Sequence, residues 1–586
     1  MIPIRLNILF VLFFLPAALL PTAPAFSQGL IIPSGAYVIG NAGYIVLRNN
    51  WVNNGSFTHN GGTLIFAGTS QSLGGTSPST FNNITIAATS ATTILTAGQQ
   101  LKGILTSNDT LYSNGNLTLL STADSTASVS GSGTGEVMGN LTMLRFLDTS
   151  FGYKYFSSPF QSDTVGDFSG ETNLGASFPT LYRYDENQPS NGFITYTNPS
   201  GLLTPLAGYA VNFGSSFAPL TVSLTGLVNN HTISSTLFNH NQTYTQGFNL
   251  VGNPYPSPID WNSGSGWTKT NIDNALYFFR AGTTNQYTGT YSSYINGVSS
   301  DGTASNIIAA MQGFFIHISN GPFPVSGQLS VNNNARTTNP SVVFLGVTRP
   351  DGPAPLLRLR AGFADETTLS DPLVIYLKDG ATAAFDKNLD ALKLMNTHTG
   401  VPNLYAISTD TTRLSIQALP YPESNLQVIP LGLTTAQSGW VTFQIGDILQ
   451  MPAFLHIYLS DTRSGIDQEL GQGGLYRLYL AKGSYEGRFF LKFSPTALNS
   501  TATPPSEPFD VYNSAGNIVV RSNLPAGVHR GLLVFNLAGQ IIYRGEITDN
   551  VYHIINMPPI AAGIYVVSLN DGHKMYSKKI VVGKQP

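Results

Sequence analysis

Short runs of alternating apolar and polar residues recur along most of this chain, and Gly, Asn and Pro separate them. Residues 356–360 and 373–377 are clear examples. Alternation with a period of two predicts strands with one buried face. Long stretches with the helical period of 3.6 are almost absent. The pattern therefore predicts an all-β, multidomain protein.

Changes in composition divide the chain into segments, each with its own predicted fold. We expect a signal peptide at 1–27, a Gly/Asn-rich β-solenoid-like region at 28–143, β modules at 144–230 and 231–335, a β-sandwich at 341–495, a linker at 496–508 and a C-terminal domain at 509–586. In 28–143, short strands stacked into a coil would bury one apolar face and place Asn and Gly at the corners. A sandwich fits this region nearly as well.

The two central modules are an internal duplication. Residues 152–160 match 247–255 at an offset of 95, which also holds for Leu181-Tyr182 and Thr195-Tyr196. Near Gly208 the offset becomes 105, so the second module contains about ten inserted residues. The matched blocks predict either two similar β modules or two halves of one sandwich.

Composition narrows the class of protein. Charged residues make up 10% of the chain, hydrophobic residues 42%, and the net charge is −3. Such a chain can pack cores, yet it has no electrostatic basis for binding nucleic acid. Cysteine is absent, which excludes disulfides, thiolate metal sites and a cysteine nucleophile.

The N-terminus has the pattern of a removed signal peptide. Arg5 precedes an apolar stretch interrupted by Pro16, and the small residues Ala25 and Ser27 predict cleavage between Ser27 and Gln28. The alternative, a membrane anchor, needs a longer apolar run of roughly 20 residues.

Aromatic residues cluster in the second module and suggest contact with a glycan. Trp261 and Trp267 could stack on sugar faces while Asp260 accepts a hydroxyl. The alternative is that these rings pack inside the protein and Asp260 forms a turn. His317 lies in an apolar strand without a residue that would complete a metal site.

Candidate chemistry is sparse elsewhere. Carboxylates in the fourth region could supply oxygen ligands to calcium, although turn formation explains them equally well. These carboxylates are Asp365, Glu366, Asp371, Asp386 and Asp390. Catalytic and phosphate-binding motifs are absent from the sequence, and we predict no cofactor, no metal site and no catalytic residue.

The last 75 or so residues follow a fixed order of strand signals. A strand ends at Asn536 before Gly539-Gln540, a Gly-hydrophobic-Tyr element spans Gly563 to Tyr565, and a terminal strand begins with Lys578-Lys579. This order resembles the type A C-terminal sorting domain of type IX secretion cargo from Bacteroidota. Residues 247–261 and the fourth region also resemble segments of exported proteins from these bacteria.

The resemblance implies a route of export and a set of partners. The partners would be the type IX translocon, its outer-membrane shuttle and a sortase-type peptidase that cuts in the linker and attaches the new end to lipopolysaccharide. The exported part is then expected at the cell surface, outer membrane or outside the cell. We interpret it as a non-enzymatic adhesin, matrix component or scaffold for extracellular glycan. The alternative is a polysaccharide hydrolase or lyase with an unrecognised active site.

Overall fold

The computed structural model describes residues 29–40, 42–88, 93–95, 98–345, 354–363, 369–422, 426–471, 474–496, 498, 509–514, 517–522, 530–547, 552–555, 561–570 and 575–582. Their regular structure is β-strand, apart from short 3-10 helices at Val165–Phe168 and Asn333–Ala335. The all-β prediction is therefore confirmed. Ser27, Gln28 and most of the predicted linker lie outside the described residues. The described part contains no helix with the length and apolar character needed to cross a membrane.

The N-terminal region is a parallel β-solenoid with three walls, which decides between the two folds predicted for it. The first wall contains Leu30–Ile32, Trp51–Asn53, Gln71–Gly74, Thr93–Leu95, Leu111–Tyr112 and Val137–Met138. The second contains Tyr37–Ile39, Ser56–Thr58, Thr80–Phe81, Gln99–Leu101, Leu117–Leu119 and Leu141–Leu147. The third contains Tyr44–Leu47, Thr63–Phe66, Asn83–Ile86, Ile104–Ser107 and Ser128–Val129.

Each turn of the solenoid places its apolar side chains over those of the previous turn. In the third wall, Leu64 pairs with Ile84 and Ile84 pairs with Leu105, and all three are buried. At a corner, the buried Asn53 accepts a hydrogen bond from the Gly55 amide (3.0 Å) and donates to Ser79 Oγ (3.1 Å). Stacked apolar side chains thus form the core, while corner side chains satisfy backbone groups of the turns.

The strand Leu141–Leu147 ends the solenoid and begins the first module. It pairs in parallel with Leu117–Leu119 and antiparallel with Leu220–Gly226. The predicted boundary at 143/144 therefore falls inside a strand. Composition does not change there, because the same alternating face serves the solenoid core and the module core.

The two modules have the same order of equivalent strands, as a duplication predicts. The first sheet is ordered Tyr153–Phe156, Tyr209–Asn212, Leu181–Tyr184, Phe193–Thr195. The second is ordered Phe248–Gly252, Gly313–His317, Leu276–Ala281, Gly289–Ile295, Val298–Ser299. A second sheet joins Ile233–Asn239, Val325–Val331 and Trp267–Thr270, and a short pair joins Ile259–Asp260 to Ile307–Ile308.

Equivalent backbone hydrogen bonds interlock the modules. The Ser157 amide donates to the Met311 carbonyl, and the Gly252 amide donates to the Leu206 carbonyl, both at 3.1 Å. These pairs are related by the offsets of 95 and 105 found in the sequence. Both acceptor residues are buried and left-handed, with φ of 69° at Leu206 and 62° at Met311. The modules therefore complete each other's sheets through a repeated, unusual backbone geometry.

The fourth region forms a continuous sheet that closes over one apolar core, in agreement with the predicted sandwich. Its strands in spatial order are Ile466–Glu469, His456–Asp461, Gly483–Ser494, Gln427–Thr435, Asn403–Ile407, Arg413–Leu419, Ser370–Leu377, Leu356–Phe363, Gly439–Leu449 and Leu475–Leu480, with Ala391–Leu392 beside Arg413–Leu419. On its outer face, Tyr376 and Ile416 share a core with Tyr155 and Tyr277 of the modules.

The C-terminal domain is a separate two-sheet sandwich with its own core. One sheet contains Phe509–Ser514, Asn517–Ser522 and Tyr552–Ile555. The other contains Ile541–Ile547, Arg530–Asn536, Gly563–Asn570 and Met575–Val582.

Candidate ligand-binding groove

A row of three adjoining cavities runs where the two modules meet the fourth-region sandwich. We call them the rim pocket (about 340 Å³), the chamber (about 200 Å³) and the cleft (about 800 Å³). Phe178 and Tyr287 line both the rim pocket and the chamber. Phe193 and Tyr291 line both the chamber and the cleft. The cavities therefore adjoin through shared wall residues, and we call the three together the groove.

The chamber is lined mainly by aromatic rings that the strand pattern places on one face. Tyr155 and Tyr182 both lie beside Ala210 across the first module's sheet, so their side chains share that face. From the second module, Phe279 stacks on Tyr155 with ring centroids 5.0 Å apart. The Tyr155 and Tyr291 hydroxyls are 2.9 Å apart and hydrogen-bonded. Duplication thus creates an aromatic chamber from two sheet faces.

Two of the aromatic side chains remain open to solvent. Phe178 is 51% exposed and Tyr287 47% exposed, and their rings contact each other with centroids 4.7 Å apart. They lie where the chamber meets the rim pocket. A ligand could therefore reach these ring faces without displacing the core.

Three buried tyrosines of the chamber stay neutral over the ordinary pH range. Burial raises the pKa of Tyr291 to about 12, and it raises the pKa values of Tyr153 and Tyr155 further above their usual range. Each phenol is therefore a hydrogen-bonding group and not an anion.

Charged groups in the cleft are paired within the protein. Lys393 Nζ contacts Asp371 Oδ2 at 2.5 Å, and both side chains are 2% exposed. Arg413 Nη2 lies 2.9 Å from Glu486 Oε1, which also accepts a hydrogen bond from the Tyr405 hydroxyl at 2.8 Å. The cleft wall therefore has little net charge available to a ligand.

His317 is held by two acceptors at the buried side of the cleft. Its Nδ1 lies 2.5 Å from Asp273 Oδ2 and its Nε2 lies 2.9 Å from the Gln246 carbonyl oxygen. Both ring nitrogens are therefore engaged, and the ring orders the wall. Among the described residues, no group of three or more His, Asp or Glu side chains could hold a metal ion.

No two described carboxylates line the same cavity of the groove. Of the described residues, Glu486 is the carboxylate lining the cleft and Glu171 the one lining the rim pocket, and none lines the chamber. Two carboxyl groups would have to flank a scissile bond at roughly 5–10 Å. The chamber between these two residues separates the pockets that they line.

The glycan contacts expected at Trp261 and Trp267 are buried in the second module's core instead. The two residues are 1% and 9% exposed, and each indole nitrogen donates to a backbone carbonyl, of Asn274 (2.9 Å) and Asp260 (2.7 Å) respectively. Lys269 Nζ covers the Trp261 ring at 3.7 Å. Asp260 Oδ1 accepts from the Asn262 amide at 2.8 Å, which is a turn contact. Neither ring face is free to stack on a sugar.

The described carboxylates that the sequence suggested as calcium ligands stabilise turns and strands. Asp390 accepts hydrogen bonds from the amides of Asp386 and Ala418, both at 2.7 Å. Asp386 in turn accepts from the Asn388 amide at 2.8 Å, and Asp371 pairs with Lys393. Asp365 and Glu366 lie outside the described residues.

The predicted sorting residues form a turn and two paired strands in the C-terminal domain. Asn536 Nδ2 donates to Gln540 Oε1 (2.8 Å) and Asn536 Oδ1 accepts from the Gln540 amide (3.0 Å), while Gly539 adopts φ 79°. The buried Tyr565 pairs with Asn536 and donates to the Ala561 carbonyl (2.6 Å).

The final strand continues this sheet. Gly563 lies opposite Val582 at the other end of the strand pair. Lys578 and Lys579 pair with Val567 and Val566, and Lys579 is exposed. The predicted sorting residues therefore lie on neighbouring strands of one sheet and the turn beside them.

Comparison with known families agrees with this assignment, since residues 514–583 match the secretion system C-terminal sorting domain. The chain is a type IX secretion cargo protein, exported to the cell surface or the extracellular space. The chain belongs to the family described as a domain of unknown function (DUF8693), which matches residues 46–493. None of the curated proteins compared with the chain matches it.

Solved structures show only distant likeness. One is PorZ, a bacterial surface component of the type IX secretion system of Porphyromonas gingivalis, at 12% identity over 38% of this chain with a TM-score of 0.12. This chain covers 34% of PorZ, about a third of its length. Another is the BSP domain of a biofilm-associated protein, at 9% identity over 76% of this chain and 96% of that one, with a TM-score of 0.14. At these TM-scores neither likeness carries an argument about function.

The groove contains aromatic residues of both modules. Tyr287 and Tyr291 stand in the aromatic cluster that suggested sugar binding, whereas Tyr155, Phe178 and Phe193 of the first module were not proposed as contacts. The repeat itself was the available signal, because two duplicated sheets with aromatic faces can pack those faces together.

Proposed function

We propose that this protein is a non-enzymatic, glycan-binding scaffold or adhesin of the cell surface. The observation that carries the proposal is the open aromatic chamber between the modules, which no described carboxylate lines. Aromatic rings stack on the apolar faces of sugars, and neighbouring phenols and amides can bond to the hydroxyls. A binding site needs these groups, whereas hydrolysis also needs a placed acid and base.

Delivery to the surface involves further proposed steps. A signal peptide ending at Ser27 would direct the chain to the periplasm, where the sorting domain meets the translocon and its outer-membrane shuttle. A sortase-type peptidase would then cut in 496–508 and attach the new end to lipopolysaccharide. The proline-rich, polar composition of this segment supports the assignment, because such linkers are extended and readily cut.

A glycan array tests the proposal directly. The secreted protein should bind at least one class of extracellular polysaccharide, and incubation with that polysaccharide should release no new reducing ends or unsaturated products. A matched variant, Glu486→Gln, should leave this absence of turnover unchanged. Product release by the secreted protein, abolished in Glu486→Gln, would establish a hydrolase or lyase in place of a scaffold.

A further inference from the structure

We propose that the groove binds the interior of an extended, uncharged polysaccharide chain, which passes through the rim pocket, the chamber and the cleft. This inference rests on the proposed function and specifies its ligand and mode of binding.

The first step of the argument is the size of the chamber. Its volume of about 200 Å³ is below the roughly 300–1,000 Å³ typical of pockets that enclose a whole small ligand. Cavities of about 340 Å³ and 800 Å³ adjoin it through different wall residues, at Phe178 and Tyr287 and at Phe193 and Tyr291 respectively. A ligand that fills the chamber therefore has room to continue in both directions, as the interior of a polymer does.

The second step is the distribution of polar groups. Aromatic rings make up most of the chamber's lining, whereas the rim pocket and the cleft combine rings with amide and hydroxyl side chains. In the rim pocket these include Asn173, Ser177 and Gln286, and in the cleft they include Asn241, Thr243 and Asn320. A central sugar could stack on the rings while its neighbours bond through their hydroxyls. This order fits a repeating polar chain that has apolar ring faces.

The third step is charge. The cleft's Lys393 and Arg413 are already paired with Asp371 and Glu486, and the buried Tyr291 remains a neutral phenol. Binding an anionic polysaccharide would require a cation that is free to pair with each acidic sugar. The Lys and Arg side chains that line the groove are therefore already paired, so a neutral chain loses less solvation on entry than an anionic one.

The fourth step separates a glycan from a peptide that extends a sheet. Such a peptide binds through backbone hydrogen bonds to a strand edge. The chamber instead presents the face of a sheet, because Tyr155, Tyr182 and Phe193 project from three strands of it. Ring faces carried on a sheet in this way can stack on the sugars of a chain.

Length dependence of binding tests the inference. The probes are neutral cello-, xylo-, manno- and laminari-oligosaccharides from disaccharide to octasaccharide, with galacturonic acid oligomers as anionic controls, titrated into the secreted protein by calorimetry. Affinity for the preferred neutral series should rise with length and then level off once the groove is filled. Reducing-end modification should leave the affinity of the long oligomers unchanged, since the chain's interior is bound.

Substitutions locate the ligand. Phe178→Ala and Tyr287→Ala should each weaken octasaccharide binding by about tenfold. Their controls, Phe454→Ala and Tyr112→Ala, remove rings of similar exposure (53% and 40%) that do not line the groove and should have no effect. Tyr244→Ala, at a 72% exposed position in the cleft, should weaken binding of long oligomers and spare the short ones. These residues are on the surface, so circular dichroism should show folded variants.

The outcomes distinguish the inference from the function on which it rests. Equal affinity for disaccharide and octasaccharide, or tighter binding of the anionic series, would overturn the threaded neutral chain and leave a glycan-binding protein. Length-dependent binding that survives both chamber substitutions would place the site elsewhere and overturn the inference. Failure of every glycan on the array and in solution to bind would overturn both proposals.

Discussion

Replacement of Gly247 by alanine should destabilise the second module more than replacement of a glycine that has free space for a Cβ and a negative φ. Gly247 has φ 76°, in the left-handed region, and the equivalent Gly152 of the first module has φ 73°. An alanine there costs about 1–2 kcal/mol in backbone conformation alone. The repeat of this geometry at an offset of 95 shows that both modules need a left-handed residue at the start of the same strand.

Packing adds to the cost. A Cβ at position 247 would lie 2.3 Å from Nδ2 of the buried Asn239, so that side chain would have to move. Asn239 Nδ2 donates to the Ile318 carbonyl at 2.9 Å, and its Oδ1 accepts from the Asn241 amide at 2.9 Å. Leaving a buried hydrogen-bonding group unpaired costs about 1–3 kcal/mol. We therefore expect Gly247→Ala to lower the free energy of unfolding by about 2–5 kcal/mol.

Tryptophan fluorescence during urea unfolding would measure this loss, because Trp261 and Trp267 both lie in the affected module's core. Gly170→Ala is the matched control, since its Cβ would meet no atom within 4 Å and its φ is not positive. It should change stability by less than about 1 kcal/mol. If Gly247→Ala unfolded at the same urea concentration as Gly170→Ala, the left-handed turn would not be a requirement of the module.

Two further predictions concern pH and secretion. Burial raises the pKa of Asp163 to about 7, so between roughly pH 4 and 7 the folded protein retains a proton that the unfolded chain releases, and stability falls as pH rises through this window. Asp163→Asn keeps an acceptor for Ser158 Oγ. Its free energy of unfolding should equal that of the parent near pH 4 and exceed it near pH 8 by up to about 4 kcal/mol. Equal dependence of the melting temperature on pH in the two proteins would contradict this. Deletion of 509–586 should leave the protein in the periplasm of its native host, and mass spectrometry of the surface form should show no C-terminal domain. Normal surface display of the truncated chain, or an intact C-terminus, would refute the sorting step or the cleavage step respectively.

The duplication and the sorting domain could be predicted because their signals are local in sequence. Matched blocks at constant offsets require only that the second module repeat the strand order of the first. The two sheets have that same order. The elements at Asn536, Gly563 and Lys578 likewise fall on strands and a turn of one small domain. Alternation also predicted the solenoid's inward faces, although it could not exclude a sandwich, since parallel and antiparallel strands share the same period.

The groove could not be predicted because it depends on which aromatic residues remain uncovered. Tryptophan is the strongest sugar-stacking residue, which made Trp261 and Trp267 attractive, but both indoles find backbone acceptors within their own module and become core. Tyr287 lies in a turn that the core does not cover, and it meets Phe178 from a module about a hundred residues away. Exposure of that kind follows from tertiary packing and leaves no pattern in the local sequence.

The groove and the sorting domain are formed by different parts of the chain, so cleavage between them would not disturb the groove. Backbone hydrogen bonds join the solenoid to the second module (Val129 amide to Pro256 carbonyl, 2.9 Å) and that module to the fourth region (Thr397 amide to Gly289 carbonyl, 2.9 Å). The groove draws its walls from this joined body, and no described residue of 509–582 lines it. The C-terminal domain has its own core around Val534 and Val567. Removing this domain after export would therefore remove the sorting signal and leave the described walls of the groove in place.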